Sequence, residues 1–234
     1  CAPKVETDLL ECDAATMTQF PYNENGVIVA KHQKITPVSE HPGMVKIETY
    51  YVNEGKPITV RAYEMCRTEV EATDSVVWSL QPSSTSGRLD WVLPVTEGFK
   101  KENYLGMNNT DYGGGIPVVD LWQKDGGVAI GLIEPVLRMI SMPVEWKRYE
   151  NKVSMSLRYE FEWPVELNTG DTLHTFTAFR YEHKGDYFNA LRTFSEVMQE
   201  QAGIVLPASE PEAFEPVWCA WGYERTFTIN EVIG

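Results

Sequence analysis

The aromatic and charged side chains best placed to bind a ligand lie close together near the end of the chain. Trp221, Tyr223, Glu224 and Arg225 follow the apolar run 217–221, and the polar turn leads into what reads as a helix. This order predicts the start of a βα unit, and barrels built from such units assemble their sites at the carboxyl ends of their strands. Aromatic ring faces beside a carboxylate and a guanidinium can bind a ligand through stacking and hydrogen bonds.

The loop 100–115 is a second candidate for ligand contact. Asp111 and Tyr112 directly precede three consecutive glycines. Such a run loses much backbone entropy on folding, so it indicates an unusual backbone path or a close approach to another group. The alternative that the sequence leaves open is an ordinary surface loop.

Several kinds of catalytic chemistry have no support in the sequence. It contains neither a serine nucleophile elbow nor a phosphate-binding glycine loop after a strand, and we expect no cofactor. The cysteines match neither a zinc ribbon nor a redox pair. Cys12, Cys66 and Cys219 are expected to be free buried thiols, and a disulfide between Cys12 and Cys66 would require an oxidising compartment. Four histidines lack the mutual spacing of metal ligands: His32, His41, His174 and His183.

Charge and hydrophobicity narrow the classes of partner. A formal charge of −14 argues against a nucleic-acid role, because phosphate binding needs a basic face, whereas a neutral, hydroxyl-rich ligand such as a sugar is compatible with it. No stretch approaches the roughly 20 apolar residues that span a bilayer. The chain begins at Cys1, which fits either a mature lipoprotein acylated at that cysteine or an arbitrary boundary of the sequence.

The elements that must position these residues are mostly strands. Alternating apolar and polar residues with short turns predict about a dozen strands, typical of a large antiparallel sandwich. Two hairpins and a meander are predicted. They are 44–52 with 57–66 across a turn at 53–56, 116–122 with 128–134 across an Asp-Gly turn, and the strands 143–148, 153–163 and 172–182.

One helix is predicted after the strands. Apolar residues recur at spacings of three and four across 186–202, which marks one face of a helix. Asp186 fits the N-cap and Gly203 the C-terminal stop. The acidic, proline-rich segment 206–216 reads as a linker between domains.

Three segments resemble a known family in their order along the chain. Residues 183–194 (HKGDYFNALRTF) resemble the end of the N-terminal β-supersandwich of α-galactosidase-like glycoside hydrolases of the melibiase, clan-D type. Residues 216–223 (PVWCAWGY), with Phe227, Asn230 and Glu231, resemble the first strand and turn of their (β/α)8 barrel. Residues 113–122 (GGGIPVVDLW) are similar to a segment of members from gut Bacteroidetes. The resemblance is clearest from about Tyr104 onward.

The resemblance implies where the domains begin and end and which of them carries the catalytic residues. It gives a galactose mutarotase-like β-supersandwich at 1–205 with the helix 186–202, a linker at 206–216, and the start of an incomplete catalytic barrel at 217–234. Retaining hydrolysis in this family uses two aspartates on later barrel strands. Both would lie beyond Gly234, so no residue here is assigned as catalytic and the chain alone is expected to be inactive.

The resemblance also gives roles to the candidate residues. Trp221 and Tyr223 would form a wall against the apolar face of a sugar ring, and Glu224 or Arg225 would bind its hydroxyls. Packing inside the barrel core is the alternative for Trp221. The residues Asp111 and Tyr112 would reach over the barrel mouth from the sandwich.

The favoured function is thus a non-catalytic N-terminal domain of a retaining glycoside hydrolase that acts on α-galactoside-like sugars. The expected partners are carbohydrate and the protein's own barrel domain. A homo-oligomer is an open alternative, and contact with a membrane is expected only through a lipid attached to Cys1. The expected location is the cell envelope or outside the cell. Two alternatives remain: a free-standing carbohydrate-binding surface lipoprotein, and a mutarotase-like sugar isomerase, which would need paired histidines such as His174 with a glutamate.

Overall fold

The strands of the computed structural model follow the alternation of the sequence closely, and they form two antiparallel sheets. The structure describes residues 10–12, 16–17, 19–72, 76–80, 91–105, 115–136, 138–147, 149–216, 228 and 230. The strands are β1 (Leu10–Cys12), β2 (Thr16–Met17), β3 (Tyr22–Glu24), β4 (Val27–Pro37), β5 (Met44–Asn53), β6 (Ile58–Glu71), β7 (Val77–Leu80), β8 (Val92–Val95), β9 (Lys100–Lys101), β10 (Tyr104–Leu105), β11 (Val118–Gln123), β12 (Gly126–Leu132), β13 (Ile140–Ser141), β14 (Val144–Lys147), β15 (Lys152–Leu167), β16 (Thr172–His174) and β17 (Ala178–Lys184). A helix, α1 (Tyr187–Ala202), and a 3-10 helix (Pro211–Phe214) follow.

The two sheets face each other across the core. Sheet 1 has the order β10-β13-β15-β6-β1-β2, with β14 on β15 and β9 on β14. Sheet 2 has the order β3-β4-β5-β17-β12-β11-β7-β8, with β16 on β5. Ile47 and Tyr51 of sheet 2 and Tyr63 and Leu157 of sheet 1 are almost completely buried in one cluster. Burial of Ile47 and of Leu157 contributes roughly 1.5–3 kcal/mol each. Because side chains of both sheets share this core, the predicted β-sandwich is confirmed.

The predicted hairpin across residues 53–56 is wrong. β5 pairs with β4, β16 and β17 in sheet 2, whereas β6 pairs with β1 and β15 in sheet 1. The turn therefore carries the chain from one sheet to the other. Asn53 fixes the crossing, because its buried Nδ2 donates to the carbonyls of Lys56 at 3.0 Å and Leu167 at 2.8 Å.

The predicted meander is correct only in its first turn. β14 and β15 pair directly, but β15 lies in sheet 1 while β16 and β17 lie in sheet 2. The predicted hairpin β11–β12 is confirmed, with Gln123 opposite Gly126 and Lys124–Asp125 as its two-residue turn. Alternation predicts which strands are half-buried, but it does not tell a neighbour in one sheet from a strand in the facing sheet.

Helix α1 covers the outer face of sheet 2. Its predicted ends are confirmed: Asp186 Oδ1 accepts a hydrogen bond from Phe188 N at 3.1 Å, and Gly203 is left-handed at φ 64°. Phe194 stacks on Phe179 of β17 with ring centroids 5.8 Å apart. This packing gives the fold a second, smaller apolar cluster.

The chain after the helix lies on the surface. Residues 204–216 are exposed throughout, including Val205 at 90% and Phe214 at 79%. The domain boundary near residue 206 stays a prediction. No helix in the described part of the chain has the length and hydrophobicity of a membrane span.

Candidate functional site

The candidate site residues named from the sequence lie outside the residues that the structure describes. Their proposed roles in sugar binding and in lipidation therefore stay predictions. These residues are Cys1, Asp111, Tyr112, Trp221, Tyr223, Glu224 and Arg225.

The structure brings together two of the segments that resemble the hydrolase family. The end of 113–122, on β11, meets the start of 183–194 at one corner of sheet 2. His183 Nε2 lies 2.9 Å from Asp120 Oδ1. Beside this pair, the rings of Trp122 and Tyr187 approach to 5.3 Å. The similarity thus marks residues that contact one another in the fold.

The Asp120–His183 pair is sealed from solvent. Both side chains have no exposed surface, and Asp120 Oδ2 has no hydrogen-bond partner. Burial raises the pKa of Asp120, although the hydrogen bond from His183 opposes the rise. Burial acts to lower the pKa of His183, but the hydrogen bond and the charge of Asp120 outweigh it, so that pKa is raised. Both pKa values are raised, so each side chain holds its proton to a higher pH than it would in water.

This pair cannot act as an acid–base catalyst on an external substrate, because a general acid or base must lie within hydrogen-bond reach of its target. Its role is to tie β11 to β17 across β12. Gly127 of β12 lies directly opposite both His183 and Trp122. A Cβ at Gly126 would collide with the carbonyl oxygen of His183, and one at Gly127 with that of Leu121, which accounts for the glycine pair after the turn.

An open cleft lies beside the pair, between sheet 2 and the start of α1. Its volume is about 470 Å³, within the range of roughly 300–1,000 Å³ that is usual for small-molecule sites. We name it the Trp78 cleft. It is lined by Val76, Trp78, Trp122, Gln123, Lys124, Gly185 and Asp186.

Aromatic side chains form one wall of the Trp78 cleft. Trp78 of β7 lies directly opposite Trp122 of β11 in the ladder. Trp78 is 39% exposed and Trp122 only 8%. Behind Trp122, Tyr187 stacks on Phe188 with ring centroids 4.3 Å apart. The cleft therefore presents one accessible indole on a rigid aromatic base.

The other wall of the cleft is polar. Lys124 is exposed at the tip of the β11–β12 turn, and Asp186 holds its place by capping α1. Gln123 donates from Nε2 to the carbonyl of Glu71 at 3.2 Å. The charges of Lys124 and Asp186 balance, so the cleft suits a neutral ligand with hydroxyl groups. In the described part of the chain, no three His, Cys, Asp or Glu side chains are grouped to hold a metal.

The histidines required by the isomerase alternative are not arranged for that reaction. His32 and His174 lie on opposite sides of Tyr50, with ring centroids 4.6 Å and 5.4 Å from it. A phenol ring therefore separates the two imidazoles, on the outer surface of sheet 2. The geometry gives the isomerase alternative no support.

Sequence reasoning missed the Trp78 cleft. Trp78 and Trp122 are far apart in the chain and come together only through the ladder between β7 and β11. The only indication of the cleft in the sequence was the family resemblance, because one of its segments (113–122) ends and another (183–194) begins at this corner. The N-cap Asp186 was recognised, but not as part of a cleft.

Comparison with known proteins agrees with the fold. No family model matches the chain. The sandwich is similar to a GH36 α-galactosidase, AgaA, from Geobacillus stearothermophilus in complex with raffinose, with a TM-score of 0.59 and 13% identity over 81% of this chain and 32% of that one. It is also similar to the galactosidase domain of an α-galactosidase-sucrose kinase, AgaSK, with a TM-score of 0.51 and 15% identity over 67% of this chain and 22% of that one. The fold is that of the β-sandwich domain of such enzymes.

One known protein is similar to this chain in sequence. An A type blood α-D-galactosamine galactosaminidase from Flavonifractor plautii is 25% identical over 227 residues, which cover 86% of this chain and 20% of the relative. The chain is thus similar in sequence to this galactosaminidase and in fold to GH36 α-galactosidases, and it corresponds to the N-terminal domain of such enzymes. The resemblance inferred from the sequence is confirmed. The chain spans only a fifth to a third of these relatives, and its lipoprotein origin stays a prediction.

Proposed function

We propose that this protein is the N-terminal, non-catalytic domain of a retaining glycoside hydrolase that acts on α-galactoside-like sugars. The observation that carries the proposal is the match of the sandwich to the first part of the α-galactosidases and the galactosaminidase. The substrate class is taken from the names of those relatives. The neutral, partly aromatic Trp78 cleft also favours the second candidate, a carbohydrate-binding domain without hydrolase activity.

A non-catalytic role agrees with what the described residues offer. Retaining hydrolysis needs two carboxyl groups about 5–5.5 Å apart, on either side of an accessible glycosidic bond. The carboxyl that burial perturbs most clearly, Asp120, is enclosed and paired with His183. We propose that the catalytic pair belongs to a (β/α)8 barrel, which begins with residues 217–234 and follows the linker 206–216.

An apolar groove of about 510 Å³ beside α1 is a suitable contact surface for that barrel. We name it the α1 groove. Its apolar lining consists of Ile116, Pro135, Leu191, Phe194, Met198, Ala202, Ile204 and Leu206.

The occupant that we propose for the α1 groove is the catalytic barrel of the same polypeptide. Ile204 and Leu206 remain 54% and 62% exposed, and exposed apolar clusters of this kind mark interaction surfaces. The chain leaves the sandwich through these residues, so a domain joined by the linker would lie next to the groove. The relatives carry several times more chain than the matched part, which supplies a domain of the required kind.

The test compares this 234-residue chain with a longer product of the same gene. Both are assayed on an aryl α-galactoside and an aryl α-N-acetylgalactosaminide. We expect hydrolysis only by the longer polypeptide. Hydrolysis by the 234-residue chain alone contradicts a non-catalytic role. Failure of the longer polypeptide on both substrates, together with sugar binding, favours the carbohydrate-binding alternative.

A further inference from the structure

We infer that the Trp78 cleft is a binding site for a neutral sugar ring, with the Trp78 indole as its stacking surface. The inference rests on the proposed function for the class of ligand, because the relatives are named as enzymes acting on galactosides and galactosaminides. The location and the mode of binding come from the cleft itself.

The exposed part of the Trp78 indole faces a cleft and offers a surface on which a ligand can stack. An indole buries 150–250 Å² of surface when it packs, so leaving one 39% exposed on a sheet forgoes much of that gain. Val76, at the same rim, is 57% exposed. These apolar surfaces line a concave space, and the apolar face of a hexose ring is flat enough to lie on an indole.

The cleft is organised before a ligand binds. Trp122 is held between the ladder to β7 and the ring of Tyr187. The Asp120–His183 hydrogen bond fixes the sheet behind it, and the cap on α1 fixes Asp186. A site with immobilised walls loses less entropy on binding than a mobile surface does.

The charges favour a sugar over an ionic ligand. Among the described residues that line it, the cleft has one cation, Lys124, and one anion, Asp186, and the whole chain carries −14, which repels anions. The ammonium of Lys124 supplies donors and the carboxylate of Asp186 an acceptor at the edge of the aromatic wall, the arrangement that ring hydroxyls require. A peptide partner is the competing occupant, and binding of a peptide with no saturable binding of any sugar would identify it.

The experiment titrates the 234-residue chain with D-galactose, N-acetyl-D-galactosamine and raffinose. Binding is followed by calorimetry and by the indole N–H resonance of Trp78. Trp78→Ala removes the stacking surface. The matched control is Trp163→Ala, because Trp163 is 78% exposed on β15 of sheet 1 and lies outside the cleft. Lys124→Ala is a second variant in an exposed turn, for use if Trp78→Ala fails to fold.

We expect saturable binding of at least one sugar, weakened about tenfold or more by Trp78→Ala, which corresponds to roughly 1.4 kcal/mol, and unchanged by Trp163→Ala. Lys124→Ala should weaken it by less. Absence of saturable binding of all three sugars overturns the inference, and so does equal loss in the Trp78 and Trp163 variants. Hydrolysis by the longer polypeptide without sugar binding by this chain would refute the Trp78 site and leave the proposed function standing.

Discussion

The enclosed pair Asp120–His183 predicts how the effect of one substitution depends on pH. His183→Ala leaves the Asp120 carboxyl without its partner in a place with no exposed surface. An isolated carboxylate is too costly there, so the group takes up a proton instead. For a carboxyl with an ordinary pKa of 3.8, protonation at pH 7 costs roughly 1.36 kcal/mol for each pH unit, or about 4 kcal/mol. This agrees with the 3–5 kcal/mol typical of breaking a buried pair.

The same reasoning predicts a smaller effect in acid. At pH 5 the protonation costs less than about 2 kcal/mol, so the loss of unfolding free energy should fall by more than half. In the wild type, the hydrogen bond and the charge of Asp120 raise the pKa of His183, so His183 stabilises the fold at pH 5 at least as much as at pH 7. A raised histidine pKa contributes stability that is complete below about pH 6.5 and is lost as the pH rises through the folded-state pKa.

The assay is urea unfolding of the wild type, His183→Ala, Asp120→Asn and the double variant at pH 5 and pH 7, followed by tryptophan fluorescence. The double variant carries neither ionisable group, so the stability of His183→Ala relative to the double variant isolates the Asp120 carboxyl and should be lower at pH 7 than at pH 5. An equal loss at both pH values in the single variant would refute the reasoning, since a cavity alone costs the same at either pH.

Three further predictions concern stability and assembly. Asp186→Ala removes the side-chain cap of α1 and should lower the unfolding free energy by roughly 0.5–2 kcal/mol, seen as a lower urea midpoint. Burial lowers the pKa of Lys31 to about 8, because the charged ammonium is costly to bury. Lys31→Met should therefore stabilise the fold at pH 7, and this gain should shrink as the pH rises above 8 and the folded-state ammonium loses its proton. An equal gain in unfolding free energy at pH 7 and pH 10 would contradict the prediction. The pair Ile204→Asp and Leu206→Asp should leave the melting temperature of this chain within a degree or two. In the longer polypeptide, the double substitution should make the linker more sensitive to proteolysis, whereas Val205→Asp, which lies outside the groove, should not. If the double substitution instead dissociates a dimer of this chain, the occupant of the groove is a second copy.

The sequence predicted the elements of this fold better than their partners. Alternation located β4, β5, β11 and β12, and the caps located α1, because these signals depend on neighbouring residues. The assignment of β5 and β6 to one hairpin failed, because the amide of Asn53 satisfies a carbonyl of the distant strand β15. No local pattern contains that contact.

In the candidate site, too, the sequence revealed the feature set by neighbouring residues but not the contacts between distant strands. Asp186 was recognisable as a cap from its place before an amphipathic segment. The Trp78 cleft was not, since its aromatic wall joins strands that are distant in sequence and its polar wall includes a helix start. The predicted ligand contacts at Trp221, Tyr223, Glu224 and Arg225 lie outside the described residues and await the sugar-binding experiments.

The crossing at Asn53 has a consequence for how the chain is made. Its amide bonds to Leu167, 114 residues further on, and β5 pairs with β17 while β6 pairs with β15. Neither sheet is complete until the last third of the domain has left the ribosome. Contacts of such long sequence separation slow folding, and unpaired strand edges in the meantime invite aggregation. A nascent chain stalled before β15 should therefore depend on chaperones, whereas one released after α1 should not.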